Sequence, residues 1–275
     1  MISSHFVKKI HTIFLVSMTI VRHHISRTDA LSMSTNGIDP HNNKLKQVKG
    51  VLFDIDGTLA DSWKLGFDAT QAVLSNNNIE LISEHTYHEC TRYTTPHRLA
   101  LHAGLEEGTE EFRIKGNALA AEFDELYVDL VDTKTAGLYT GIKELLTEHI
   151  PEDVKVGALT NACVAYAHAV LRENNISYRF STVHGADDVP AAKPKGDGLL
   201  LCCKEIGLDP SECVYIGDSP SDGFAAADAG MPFLGVLWGS HSKESLSKAP
   251  NEYLCSNVQE LQMRLPSKSS NSLVQ

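Results

Sequence analysis

The stretch "KGVLFDIDGTLADS" (Lys49–Ser62) decides how this chain is read. Val51, Leu52 and Phe53 form a short apolar run, the pattern of a strand buried on both faces of a sheet. Two aspartates, Asp54 and Asp56, follow at once, and then Gly57 and Thr58. Carboxylates at the end of a buried strand lose solvation unless something compensates, and a metal ion would do so. Gly57 suits a tight turn that brings backbone N–H groups near an anion.

Working outward, the pattern changes twice. From Asp61 to about Ile150, segments such as "SWKLGFDATQAVLSNN", "TPHRLALHAGL" and "GTEEFRIKGNALAAEFDELYVDLV" carry apolar residues at helical spacing, so the block reads as all-helical. Beyond it strands and helices alternate: "DVKVGALTN", "AYAHAVLRENN", "SYRFSTVHG", "GDGLLLCCKEIG", "ECVYIGDS", "SDGFAAADAG", "PFLGVLWG", "YLCSNV" and "QELQMRL". Alternation implies parallel pairing with right-handed crossovers. The expected fold class is therefore α/β, a doubly wound, Rossmann-like parallel sheet with a helical insertion after its first strand. Such sheets bind ligands at the carboxyl ends of their strands.

That rule names candidates. Asp54 and Asp56 close the first strand, Thr160 and Asn161 follow "VGAL", Asp218 and Asp222 follow "VYIG", and Lys193 stands in the loop "DDVPAAKPKGDG". Taken singly, each has an ordinary explanation: an Asp or Thr after a strand caps a helix or forms a turn, and a loop lysine is solvated. Together, four carboxylates, a hydroxyl, an amide and an ammonium would meet on one sheet edge. Neighbouring carboxylates resist ionising, a hard divalent cation removes that cost, and all-oxygen ligation suits magnesium. One carboxylate could then attack an electrophile while the other moves a proton.

"DIDGTLADS", "LTN", "AAKPKGD" and "GDSPSD", in that order, resemble the four motifs of the haloacid dehalogenase superfamily, over roughly Lys49 to Leu265. The stretch from "GADDVPAAKPKGD" through "GDSPSDGFAAADAGM" is most similar to its phosphoglycolate phosphatase-like branch. The resemblance implies a core of residues 46–62 and 141–265 and a helical cap of residues 63–140. It implies that Asp54 is the nucleophile that forms an aspartyl-phosphate and that Asp56 is the general acid and base. Thr160 and Lys193 would act on the transferring phosphoryl group, with Gly57, Thr58 and Asn161 around it. Magnesium would be held by Asp54, the Asp56 backbone carbonyl and Asp218, with Asp222 behind them. In "KPKGD" Gly196 stands where the family commonly has a second proline. The presence of Asp56 argues against a dehalogenase, and Gly66 stands where the sugar-phosphate mutase branch carries a histidine.

The expected activity is magnesium-dependent hydrolysis of a small phosphorylated metabolite, phosphoglycolate first. Sugar phosphates, nucleotides and pyrophosphate are alternatives; a phosphomutase or a catalytically silent regulatory module stands behind these. The leaving group would be read by the insertion, where His97 and Arg98 follow a Thr-Thr-Pro turn; the competing reading puts Arg98 on the solvated face of its helix.

The bulk numbers agree with this. A net charge of -11 over 275 residues offers no basic field to nucleic acid. No run reaches the roughly 18 apolar residues of a membrane span. A monomer or homodimer is expected. The six cysteines include no Cys-x-x-Cys pair and read as buried thiols. Residues 1–45 are basic and acid-free until Asp29, and fit either an organellar presequence (plastid or mitochondrion) or an extension upstream of Met33 on a cytoplasmic protein, ahead of a secretory signal. Residues 266–275 read as a polar, disordered tail.

Overall fold

The computed structural model describes residues 45–268. Strand β1 (Gly50–Phe53) leads through a sharp turn to the two-residue strand β2 (Ala60–Asp61). Helices α1 (Trp63–Asn76), α2 (Glu84–Cys90), α3 (Thr95–His102) and α4 (Glu110–Asp129) follow, and β3 (Gly137–Leu138) returns beside β2. Then come α5 (Ile142–Glu144), β4 (Lys155–Leu159), α6 (Val164–Glu173), β5 (Phe180–His184), α7 (Asp197–Ile206) and β6 (Cys213–Gly217). The chain continues through α8 (Pro220–Asp228), β7 (Phe233–Val236), α9 (Lys243–Leu246), β8 (Tyr253–Cys255) and α10 (Val258–Gln262).

The six longer strands form one parallel sheet in the order β5-β4-β1-β6-β7-β8. The chain winds outward from β1 through β4 and β5, then returns to lay β6 on the other side of β1. The fold is the expected doubly wound α/β sheet. The reversal of winding opens a crevice at the carboxyl ends of β1, β4 and β6.

Strand periodicity divides the core. Val51 and Phe53 face one layer with Val156, Ala158, Val214 and Ile216, packed on Tyr166 and Val170 of α6. Leu52 faces the other layer with Leu159, Tyr215 and Phe233, packed on Leu199 and Cys203 of α7 and Ala225 of α8. Both faces are buried, which is why β1 carries no polar residue until Asp54.

Three sequence expectations need adjustment. The block from Asp61 to Ile150 is not all-helical: the chain enters it along β2 and leaves it along β3, paired antiparallel with Ala60 opposite Leu138. Two residues are too short a run to show strand periodicity. Leu45 and Val48 are already buried against the core. At the other end Pro266 is buried and Lys268 donates to the Thr147 carbonyl at 2.8 Å, so the first three residues of the stretch read as a disordered tail pack on the core; the rest of the presequence and tail readings falls outside the described residues. All six cysteines are free, and no described helix is long and apolar enough to cross a membrane.

At the end of β5, His184 is clamped by two carboxylates. Its Nδ1 lies 2.9 Å from Asp188 and its Nε2 3.0 Å from Glu205. Burial pushes the imidazole pKa down, but the two carboxylates outweigh it and the net direction is up. A folded-state value above the ordinary 6.5 means a contribution complete below about that pH and lost as pH rises through the folded value. His184→Gln should therefore cost more stability near about pH 6 than near about pH 9 in denaturant melts. An equal cost at both would show that the pairs do not matter.

Candidate active site

Lys193 is 5% exposed, and its ammonium is the hub of the crevice. It donates to Asp222 Oδ1 at 2.6 Å, Asp54 Oδ1 at 2.8 Å and the Tyr215 hydroxyl at 3.1 Å. Burial works to strip the proton from Lys193, but Asp222 and Asp54 outweigh it, and the pKa rises above its ordinary value. Asp54 is pushed well above the carboxylate range, first by burial; Lys193 opposes this, while Asp222, Asp218 and Asp56 add to it. One ammonium is thus shared among more carboxylates than it can neutralise.

Asp222 has a double task. Its Oδ2 accepts from the backbone N–H of Ser219 at 2.9 Å, completing a capping box at the start of α8, while Oδ1 receives Lys193. Asp222 therefore caps α8 as the ordinary reading has it, and also reaches the Lys193 ammonium in the crevice. Asp218 is fixed by close backbone approach. Its Oδ2 accepts from the Ser240 N–H at 2.6 Å. A Cβ on Gly57 or on Gly239 would come within 2.3 Å of that carboxylate, and Gly57 has φ +73°. The turn after Asp56 needs glycine for its conformation and for the space Asp218 occupies.

Carboxylate oxygens of Asp54, Asp218 and Asp222 lie within 4.8 Å of one another. Hard oxygen donors, an excess of buried negative charge and an elevated Asp54 fit a divalent cation such as magnesium. Both Asp222 oxygens are engaged, so its contribution to such a site is mainly charge.

Asp56 points away from that cluster. Its Oδ1 accepts from Ser62 Oγ at 2.5 Å, Tyr166 Oη at 2.6 Å and Tyr127 Oη at 2.9 Å. Among the described residues, Oδ2 has only a long 3.4 Å contact, with the Thr160 hydroxyl. The two tyrosines stack with centroids 3.9 Å apart, one from α4 and one from α6. Asn161 ties the Lys193 loop to β4 by exchanging hydrogen bonds with the Lys193 backbone, and its amide also reaches the Arg92 carbonyl.

Asp54, Asp56, Gly57, Thr160, Asn161, Lys193, Asp218 and Arg98 all line one cavity of about 80 Å³. That is several times the ~10–15 Å³ one water needs and well below the ~300–1,000 Å³ of drug-sized pockets. Arg98 is buried there rather than on a solvated helix face. His97 and Thr58 are not brought in. His97 stacks on Tyr93 and faces Glu107 at 3.5 Å. Thr58 is fully buried beneath the turn, with its carbonyl taken by Trp238. The sequence reading missed Tyr127, Tyr166, Ser62 and Tyr215. A hydroxyl inside an otherwise apolar strand, as in "CVYIG", was the available signal for Tyr215, because a buried hydroxyl needs a partner.

A family model for haloacid dehalogenase-like hydrolases matches residues 51–236. The chain belongs to this family. Among curated relatives of this haloacid dehalogenase-like hydrolase is the phosphoglycolate phosphatase of Photorhabdus laumondii, 29% identical over 233 residues, covering 79% of this chain and 92% of the relative. The phosphoglycolate phosphatase of Shigella dysenteriae is 26% identical over 237 residues, covering 80% and 93%. Among solved structures, CbbY from Rhodobacter sphaeroides in complex with phosphate superposes with a TM-score of 0.65 at 21% identity, covering 78% of this chain and 96% of that one. That likeness concerns the fold.

The hub can be tested without any assay of activity. Lys193→Met leaves buried carboxylates uncompensated and should cost ~3–5 kcal/mol of stability near neutral pH in chelator-containing buffer. The loss should shrink on acidification, as protonation removes the unpaired charge. A variant as stable as the wild type at neutral pH would mean the cluster does not depend on Lys193.

Proposed function

We propose that this hydrolase is a magnesium-dependent phosphomonoesterase for a small metabolite, with phosphoglycolate as its first candidate substrate. One observation carries the reading: a buried carboxylate, Asp54, has an ammonium on one oxygen and shares a small cavity with a second carboxylate held apart from it. The cavity volume favours compact esters over nucleotides. The names of the curated relatives point the same way.

In this reading the Asp54 oxygen not held by Lys193, Oδ2, attacks phosphorus as the bond to the leaving oxygen breaks. Asp56 donates its proton to that oxygen from Oδ2, because Oδ1 is saturated by three hydroxyls. Asp56 then takes a proton from the water that attacks the aspartyl-phosphate, releasing phosphate and restoring Asp54. Lys193 balances charge on the nucleophile throughout, and the Thr160 hydroxyl orients a phosphoryl oxygen, since the Gly57, Thr58 and Leu59 N–H groups are already spent on carbonyls within their own turn. Asp54 and Asp218 would hold magnesium, which when bound offsets negative charge among the carboxylates and the phosphoryl group. The helical insertion, residues 63–140, would act as a cap that keeps bulk water from the phosphoenzyme.

Asp54→Asn should lower magnesium-dependent hydrolysis of p-nitrophenyl phosphate by a factor on the order of 10³ or more. A variant retaining a tenth of the wild-type rate would remove Asp54 as the nucleophile. Asp56→Asn should slow hydrolysis of the phosphoenzyme more than its formation with a good leaving group, so acid-quenched samples should hold more labelled phosphoenzyme than wild type. Equal slowing of both steps would assign Asp56 another task. Magnesium should raise the wild-type melting temperature and raise that of Asp218→Asn less; the same rise in both would place the ion elsewhere.

A further inference from the structure

Arg98 is a second buried cation in the cavity, and its surroundings differ from those of Lys193. It is 6% exposed. Its Nη1 donates to Thr70 Oγ1 at 2.7 Å, and that hydroxyl in turn donates to the Gly66 carbonyl. The guanidinium carbon lies 4.8 Å from the Phe123 ring centroid and 5.2 Å from that of Tyr87. Among the described residues, no carboxylate oxygen comes within the 4.0 Å of an ion pair. Asp124 feels the Arg98 charge from farther off, and burial pushes its own carboxyl up to about 6.

A guanidinium has five N–H donors, and a single hydroxyl and two ring faces do not satisfy them. Burial of a charge without a paired counter-ion is costly, so the arrangement is incomplete as it stands. The ring faces hold the guanidinium plane in place, which leaves its remaining donors set for a planar anion. Nearby His102 does not supply a competing charge: burial first, then Arg98, push it down to about 4, so it stays neutral at physiological pH. The phenol of Tyr87 also lines the cavity and lies within electrostatic reach of both Arg98 and Asp56. The unpaired cation therefore belongs to the same small space as the reacting carboxylates, on the side formed by the insertion.

We propose that Arg98, oriented by Thr70, Phe123 and Tyr87, binds a carboxylate on the leaving group and so makes this hydrolase selective for short phosphorylated acids. The proposal rests on the phosphomonoesterase reading above. Its geometry asks for a compact substrate with a phosphoryl group at Asp54 and a carboxylate at Arg98, because about 80 Å³ leaves little room for more.

The test compares phosphoglycolate with ethyl phosphate, in which a methyl group replaces the carboxylate. Wild type should favour phosphoglycolate in kcat/KM, and Arg98→Met should lower that ratio roughly tenfold or more, chiefly through KM. Arg98→Lys, which keeps charge but not the planar fork, should fall between them. Thr70→Val should shift the ratio in the same direction by a smaller factor, and serves if Arg98→Met folds poorly. A wild type with no preference for the acid, or variants that lower both substrates by one factor, would overturn the assignment of Arg98 and leave the phosphatase reading standing. No magnesium-dependent hydrolysis of either ester would overturn the phosphatase reading and the proposal with it. Independent of turnover, glycolate should raise the melting temperature of wild type more than that of Arg98→Met; equal shifts would also overturn the assignment.

Discussion

The contact of Lys193 with Asp54 and Asp222 is the constraint around which the crevice is built. The groups around the ammonium come from four separate segments: the end of β1, the end of β4, the middle of β6 and the first turn of α8. A buried pair of this kind gives little net stability, because desolvation offsets attraction. What it gives is position. The ammonium is satisfied only when β1, β4, β6 and α8 are in register, so correct sheet assembly and correct placement of Asp54 are the same event.

The negative charge left over has a definite address. Lys193 takes one oxygen of Asp54 and one of Asp222, and Asp222 spends its other oxygen on the α8 cap. Asp218 is held by the Ser240 N–H between two backbone segments that approach too closely for any Cβ. These arrangements leave Asp54 and Asp218 as the carboxylates with unspent oxygens on the side facing the cavity. The electrostatics of the site is thus split in two. An acidic pole with room for a cation lies at the sheet edge, and an unpaired cation, Arg98, lies in the insertion.

How legible this was in the sequence follows from the range of each interaction. The sheet edge was readable because a parallel sheet puts the residue after each strand at one place, so "LFDID", "ALTN" and "YIGD" could be lined up without knowing any contact. A capping role for an aspartate after the strand was also readable, since helix caps are local. The tyrosines on Asp56 were not. Tyr127 and Tyr166 stand at helical spacing among apolar neighbours and look like core residues, which by burial they are. Only the tertiary fold turns their hydroxyls to a carboxylate 71 and 110 positions away. The pair His97-Arg98 shows the same limit. Adjacent residues on a helix point in different directions, and the sequence cannot choose which one faces inward until the packing partner of α3 is known. The partner is α4, which brings Phe123 under Arg98 and leaves His97 between Tyr93 and Phe112.

Asp56 is where the insertion and the sheet meet. Two of the three hydroxyls on its Oδ1, those of Ser62 and Tyr166, lie on segments anchored next to the sheet, and the third, that of Tyr127, lies on α4 of the insertion. The Tyr127 ring is stacked on Tyr166, so moving α4 would cost a ring contact as well as a hydrogen bond to the same carboxylate. On the far side of the crevice, the Arg92 carbonyl accepts from Asn161, whose other bonds hold the Lys193 loop. The insertion therefore touches Asp56 directly, through Tyr127, and the Asp54–Lys193 pair indirectly, through Asn161. Any displacement of its helices changes the hydrogen bonding of Asp56 and the seating of Lys193 together, because both depend on contacts that cross the same cleft.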